Sequence, residues 1–146
     1  MKKKKEIWGF DKSKLQQWFL YWLVLGVGLL MLVFLITSTW IGVEVKERCQ
    51  TAKSKYEGDC VEVLIETVEN EEESNRTRNY GIWALGQLGD ERALPLLKDM
   101  YTGVIPDREP YDEGISQYEL KKAIALLEGG FNATAWVWRD GVEKME

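Results

Sequence analysis

The run Arg78-Asn79-Tyr80-Gly81-Ile82-Trp83-Ala84-Leu85-Gly86-Gln87-Leu88-Gly89-Asp90-Glu91-Arg92-Ala93-Leu94-Pro95-Leu96-Leu97 decides the fold. Ile82, Leu85 and Leu88 recur at helical spacing with Trp83 and Ala84 beside them, and Leu94, Leu97 and Tyr101 do so again beyond a break at Gly89-Asp90. This is the pattern of two short helices joined by a tight turn. Ala84 and Gly86 are small enough to let the two helices approach. Gly89 suits the left-handed residue that ends the first helix, and Asp90 supplies a side-chain acceptor to cap the second. Pro95 falls in the first turn of that second helix, where a missing N–H costs least.

The run Arg78 to Leu97 resembles the HEAT-like repeat first known from phycobilisome lyases, whose signature runs ALGxLGDxRALPxL. The resemblance implies helix pairs stacked side by side with a surface that binds other proteins, only some members of the family carrying chemistry. It also admits a bilin lyase, although this chain has too few repeats for such a pocket. The iron-dependent deoxyhypusine hydroxylase of the same repeat class holds its metal with His-Glu pairs, and this chain has no histidine.

On either side the helical period continues. Val61, Leu64, Ile65 and Val68 lie in the stretch CVEVLIETV, which reads as the second helix of a degenerate preceding repeat. Leu120, Ile124 and Leu127 lie in SQYELKKAIALLEGG, the first helix of a following one. Neither has the LGD signature, as befits terminal repeats that cap a short stack. Breaks are expected at Glu69 to Ser74, across GVIPDREPYDEGIS with its Pro106, Pro110 and Gly114, and at Gly129-Gly130. No stretch keeps a period of two. The fold class is therefore all-α, a short HEAT-like α-solenoid over residues 44–146.

Ahead of it, no charged residue occurs between Lys14 and Glu44. A helix needs about 20 mainly apolar residues to cross the hydrocarbon core, because an unpaired backbone group there has no water to turn to. Residues 15–43 meet that length, with Trp18, Tyr21 and Trp22 at one end and Trp40 at the other as interfacial aromatics. The apolar run exceeds the about 7–15 residues of a cleavable signal and lacks an Ala-x-Ala site, so it reads as a retained signal anchor. Residues 1–14 carry six lysines against Glu6 and Asp11, a net +4, while residues 44–146 carry 13 basic groups against 22 acidic ones, a net −9. The positive-inside rule then keeps the N-terminus in the cytoplasm and places the C-terminal domain outside, the same scaffold facing the cytoplasm being the rival orientation. Gly26 and Gly28 are two apart and form no helix-dimer face, and the Ser38 and Gly42 spacing is a single small-xxx-small pair.

Cys49 and Cys60 both fall in the part placed outside, where an oxidising compartment favours a disulfide. The membrane helix is expected to run on through VEVKERCQTAKSKY and turn back at Glu57 to Gly58, with Asp59 capping the next helix. A Cys49–Cys60 bond closing that short loop stabilises by about 2–3 kcal/mol in the chain-entropy model. Two free buried thiols in a cytoplasmic domain are the alternative.

Chemistry is narrowed by the absent histidine, which removes Ser-His and Cys-His nucleophiles and most zinc or haem ligation. The adjacent carboxylates Asp90-Glu91 and Asp112-Glu113 are unexceptional among 24 acidic residues, and the acid run Glu69 to Glu73 reads as a solvated turn without metal. No catalytic, cofactor or metal residue is assigned, and an acidic domain without a basic stripe does not suit nucleic acid. The aromatic C-terminal tail FNATAWVWRDGVEKME supplies Phe131, Trp136 and Trp138, which with Tyr80 and Trp83 are the candidate partner contacts. A cap over the open end of the stack and contact with the lipid bilayer are the other readings of that tail. Asn75-Arg76-Thr77 and Asn132-Ala133-Thr134 match the glycosylation sequon. The reading as a whole is a membrane-anchored, non-catalytic interaction module for a membrane-associated protein partner, against a membrane-tethered lyase or chaperone-like enzyme for a pigment or cofactor.

Overall fold

The computed structural model describes residues 12–143, and every regular element among them is helical. The basic run Lys2 to Lys5 lies outside the described residues. In chain order the helices are α1 (Lys12–Lys53), α2 (Cys60–Glu69), α3 (Asn75–Leu88), α4 (Leu94–Met100), α5 (Gln117–Leu127) and α6 (Ala135–Glu143). The chain divides into two compact units, one ending at Ile36 and the other beginning at Thr37. Residues 37–43, which composition groups with the apolar run, thus belong to the second unit.

In the first unit, α1 is long and apolar enough to cross a membrane. Its large side chains from Leu15 to Ile36 are exposed, apart from the half-buried Phe34.

The second unit begins with the last turns of α1. Ser38, Gly42, Val45, Cys49 and Ala52 are buried there at alternating spacings of four and three, a narrow seam of small residues against the rest of the domain. After α1 the chain reverses through Gly58, and Asp59 accepts from the N–H groups of Val61 and Glu62 at 2.9 Å each. Glu62 in turn accepts from the Asp59 N–H at 3.0 Å, which completes a capping box and fixes the start of α2. Cys49 and Cys60 meet across this reversal at disulfide distance, their Cα atoms 5.3 Å apart.

Helices α2 and α3 pack together, α3 packs on α5, and α4 lies against α5. Val63, Leu64, Val68, Ile82, Leu85, Leu97 and Leu120 fill the shared core. Ser74 caps α3, and Gly89 ends it in the left-handed region at φ +74°. Asp90 does cap the next element, but that element is a 3-10 turn over Glu91–Ala93 leading into α4 rather than the α-helix itself. The cause is Pro95, which has no N–H to return to Glu91, so the turn tightens before the α ladder begins. Gly89→Val should cost about 1–2 kcal/mol, because a β-branched residue resists that conformation. We expect the melting midpoint of the full chain in mild detergent to fall by several degrees; an unchanged midpoint would mean that the turn tolerates a side chain.

The tail is not an extended appendage. Asn132 Oδ1 accepts from the Ala135 N–H at 3.3 Å and from Thr134 Oγ1 at 2.8 Å, a local cap that starts α6.

Candidate functional site

Helices α1, α3 and α5 of the second unit leave between them an open groove of about 580 Å³. Trp40 and Ile41 line it from α1, Tyr80 and Trp83 from α3, and Glu119 and Lys122 from α5, with Tyr111 contributed by the loop before α5. Tyr80 and Trp83 are three apart on α3 and so share a face, which is why both reach it.

The aromatic wall is fixed from behind. The Arg48 guanidinium lies 4.3 Å from the centre of the Tyr80 ring while its Nε donates to Glu44 at 2.9 Å. Tyr80 and Tyr111 stand at a tilt of 48° with ring centres 5.8 Å apart, an arrangement favoured by the ring quadrupoles. Glu119 is buried and accepts from Lys122 at 3.2 Å. Burial, together with the neighbouring Glu119 carboxylate that the phenol hydrogen-bonds, pushes the Tyr111 hydroxyl well above its ordinary value.

The loop that delivers Tyr111 is held by Asn79, a fully buried polar residue of α3. Its Nδ2 donates to the carbonyls of Tyr111 at 3.0 Å and Gly114 at 2.8 Å, and its Oδ1 accepts from the Ser116 N–H at 2.8 Å. Glu109 folds over the start of α5, accepting from the N–H groups of Gln117 at 2.8 Å and Tyr118 at 3.0 Å and from Ser116 Oγ at 2.8 Å. Burial alone raises the Glu109 carboxyl, but these three donors outweigh it and leave the group below its usual range.

In each adjacent carboxylate pair the aspartate is engaged in the fold. Asp112 receives both Nε and Nη2 of Arg76, at 2.7 and 3.0 Å, outside the groove. Asp90 receives Arg92, whose Nη1 also donates to Asp59 at 2.6 Å, so one guanidinium joins the repeat turn to the start of α2. The Arg92 hydrogen bonds hold the Asp90 carboxyl low. At Asp59 burial pulls the other way, and the Glu62 N–H and Arg92 together prevail to lower it. Among the described residues no three His, Cys, Asp or Glu side chains gather as a metal site. Both sequon asparagines use their amide nitrogens, Asn75 on the Asp112 carbonyl and Asn132 on Gln87.

Of the five aromatic candidates, Tyr80 and Trp83 come together in the groove, while Phe131 and Trp136 are exposed elsewhere, at 91% and 77%. Trp138 is buried and packs on Gly42, so it serves the core of its own domain. Ser38 and Gly42, the single small-xxx-small pair of the sequence, are both buried within the second unit. Sequence reasoning missed Tyr111, Glu119 and Asn79. Only Asn79 left a signal, as a polar residue three positions before Ile82 on an apolar stripe.

Residues 77–102 match the family described as PBS lyase HEAT-like repeat, which covers α3 from Thr77 onward with Tyr80 and Trp83, the Gly89 turn and α4. No curated protein and no solved structure matches the chain.

Proposed function

We propose, for a chain that carries a HEAT-like repeat within an all-helical fold, a non-catalytic interaction module held to a membrane by α1. In this reading the N-terminus is cytoplasmic, the second unit stands on the opposite face, and Cys49 and Cys60 are bonded. The partner is a membrane-associated protein that seats an apolar segment in the aromatic groove. The observation that carries the reading is that groove: large aromatic side chains from separate elements converge on one concave surface, alongside the ion pairs of Glu44 with Arg48 and of Glu119 with Lys122. Binding energy concentrates in such anchors.

The test uses the full chain in its own membrane with a photocrosslinking residue at Tyr80. Crosslinks to a discrete membrane protein are expected. They should be lost in Trp83→Leu, which keeps an apolar side chain against the core while removing the indole, at roughly 2 kcal/mol or about 30-fold in affinity. A folded Trp83→Leu protein that crosslinks as well as the parent overturns the groove as the docking site.

A second reading, a lyase or chaperone-like enzyme for a pigment or cofactor, draws on the family description and on the buried Glu119 beside Tyr111. It requires Glu119→Gln to abolish a turnover, whereas the docking reading has that change alter crosslinking yield only modestly.

A further inference from the structure

The aromatic groove holds a carboxylate that is matched only loosely. Glu44 on its wall is taken by Arg48, one turn along the same helix. The Glu119 side chain is 9% exposed, and its cation, Lys122, is 46% exposed with Nζ at 3.2 and 3.4 Å from the two carboxylate oxygens. Charge-assisted N–H···O bonds are ordinarily shorter, about 2.7–2.9 Å. A carboxylate offers about four acceptor positions, of which Lys122 on both oxygens and the Tyr111 phenol fill three, so one is left for a guest. A purely apolar guest would strip water from this pair and return nothing, which is costly for buried charge. A cation offsets that loss and is drawn to ring faces besides. The chain uses its own rings in this way, with Arg48 4.3 Å from the centre of Tyr80 and Lys122 5.0 Å from that of Tyr118. A single open position suits an ammonium, a point charge, better than the flat fork of a guanidinium, which needs two acceptors side by side.

From this arrangement we propose that the protein segment seated in the groove presents a lysine, its stem against Trp83 and Tyr111 and its ammonium on Glu119. The inference rests on the groove being the docking site and adds the charge of what docks there. Lys122, on a flexible and exposed stem, swings toward Tyr118 as the incoming ammonium takes its place.

The experiment titrates the full chain in a non-ionic maltoside detergent with three probes. These are n-butylammonium for the lysine head, n-butanol as its neutral counterpart, and tetramethylammonium as a cation without N–H. The protein carries fluorotryptophan, and fluorine NMR follows the Trp83 resonance, assigned by its loss in Trp83→Leu. Butylammonium should bind about tenfold tighter than butanol and severalfold tighter than tetramethylammonium. Lys122→Met removes the resident cation and should tighten butylammonium severalfold. Glu119→Gln keeps an acceptor and should weaken it only modestly, whereas Glu119→Leu should abolish the preference for the cation. Butanol binding as tightly as butylammonium overturns the lysine, as does an unmoved Trp83 resonance or weaker butylammonium binding in Lys122→Met. The groove survives any of these results as a docking site if Trp83→Leu still loses its crosslinks. Tetramethylammonium binding more tightly than butylammonium also overturns the lysine, because the guest is then a quaternary ammonium. Parent-like crosslinking in Trp83→Leu removes the docking reading and this inference with it.

Discussion

Asn79→Leu is expected to loosen the wall of the groove and lower the stability of the second unit by about 3 kcal/mol. The side chains are close in size, so the packing change is small. What is lost is one acceptor for the buried Ser116 N–H and two donors to the Tyr111 and Gly114 carbonyls. Each buried group left unpaired costs about 1–3 kcal/mol, and part of that returns where the freed loop reaches water. Tyr111 should leave the groove, so crosslinking from Tyr80 should fall along with the melting midpoint. Trypsin should cut faster at Arg108, which is exposed on the same loop. Asn79→Asp keeps the acceptor and loses the donors, and it should fall between the two. A parent-like melt and cleavage rate in Asn79→Leu would mean that the loop is held by Glu109 and Arg76 alone.

Gly86→Val should be at least as damaging. A Cβ at Gly86 would stand 2.7 Å from Ala123 Cα and 2.8 Å from Ala123 Cβ, so α3 and α5 meet here backbone to backbone. A branched side chain must push the helices apart along their whole contact, and overpacking of this kind costs about 1–3 kcal/mol or more. Gly86→Ala should cost less. Adding Ala123→Gly to it should recover part of the loss, since the two positions share one contact and their effects are not additive. Gly86→Val melting like the parent would show that the α3–α5 contact adjusts freely, contrary to this geometry.

The parts legible in the sequence are those made by neighbours in the chain. Gly89, Asp90 and Pro95 fix their turn through backbone chemistry within a few residues, and Asp59 caps α2 in the same local way, so residue order alone is enough to read both. The groove is not legible in that way. Trp40, Tyr80, Tyr111 and Glu119 come from four segments, and only the packing of α3 on α5 and on the last turns of α1 brings them together. The tail shows the same limit. Trp136 and Trp138 are chemically identical, yet two positions on a helix differ by about 200° in direction, so one faces the core and the other faces out. That distinction exists only once α6 is known to be a helix. The 3-10 turn before α4 shows how one missing N–H shifts a boundary that the motif alone places a few residues earlier.

The segment between α4 and α5 has the composition of a loose linker, but Asn79 and Arg76 bind it from α3 and its own Glu109 ties it to the start of α5. A surface of that kind has already lost its conformational freedom during folding. A molecule that seats beside Tyr111 does not have to order the wall it touches, and ordering such a side chain or loop otherwise subtracts about 0.5–1.5 kcal/mol for each rotamer-rich group. Whatever seats in the groove therefore meets a wall that is already ordered.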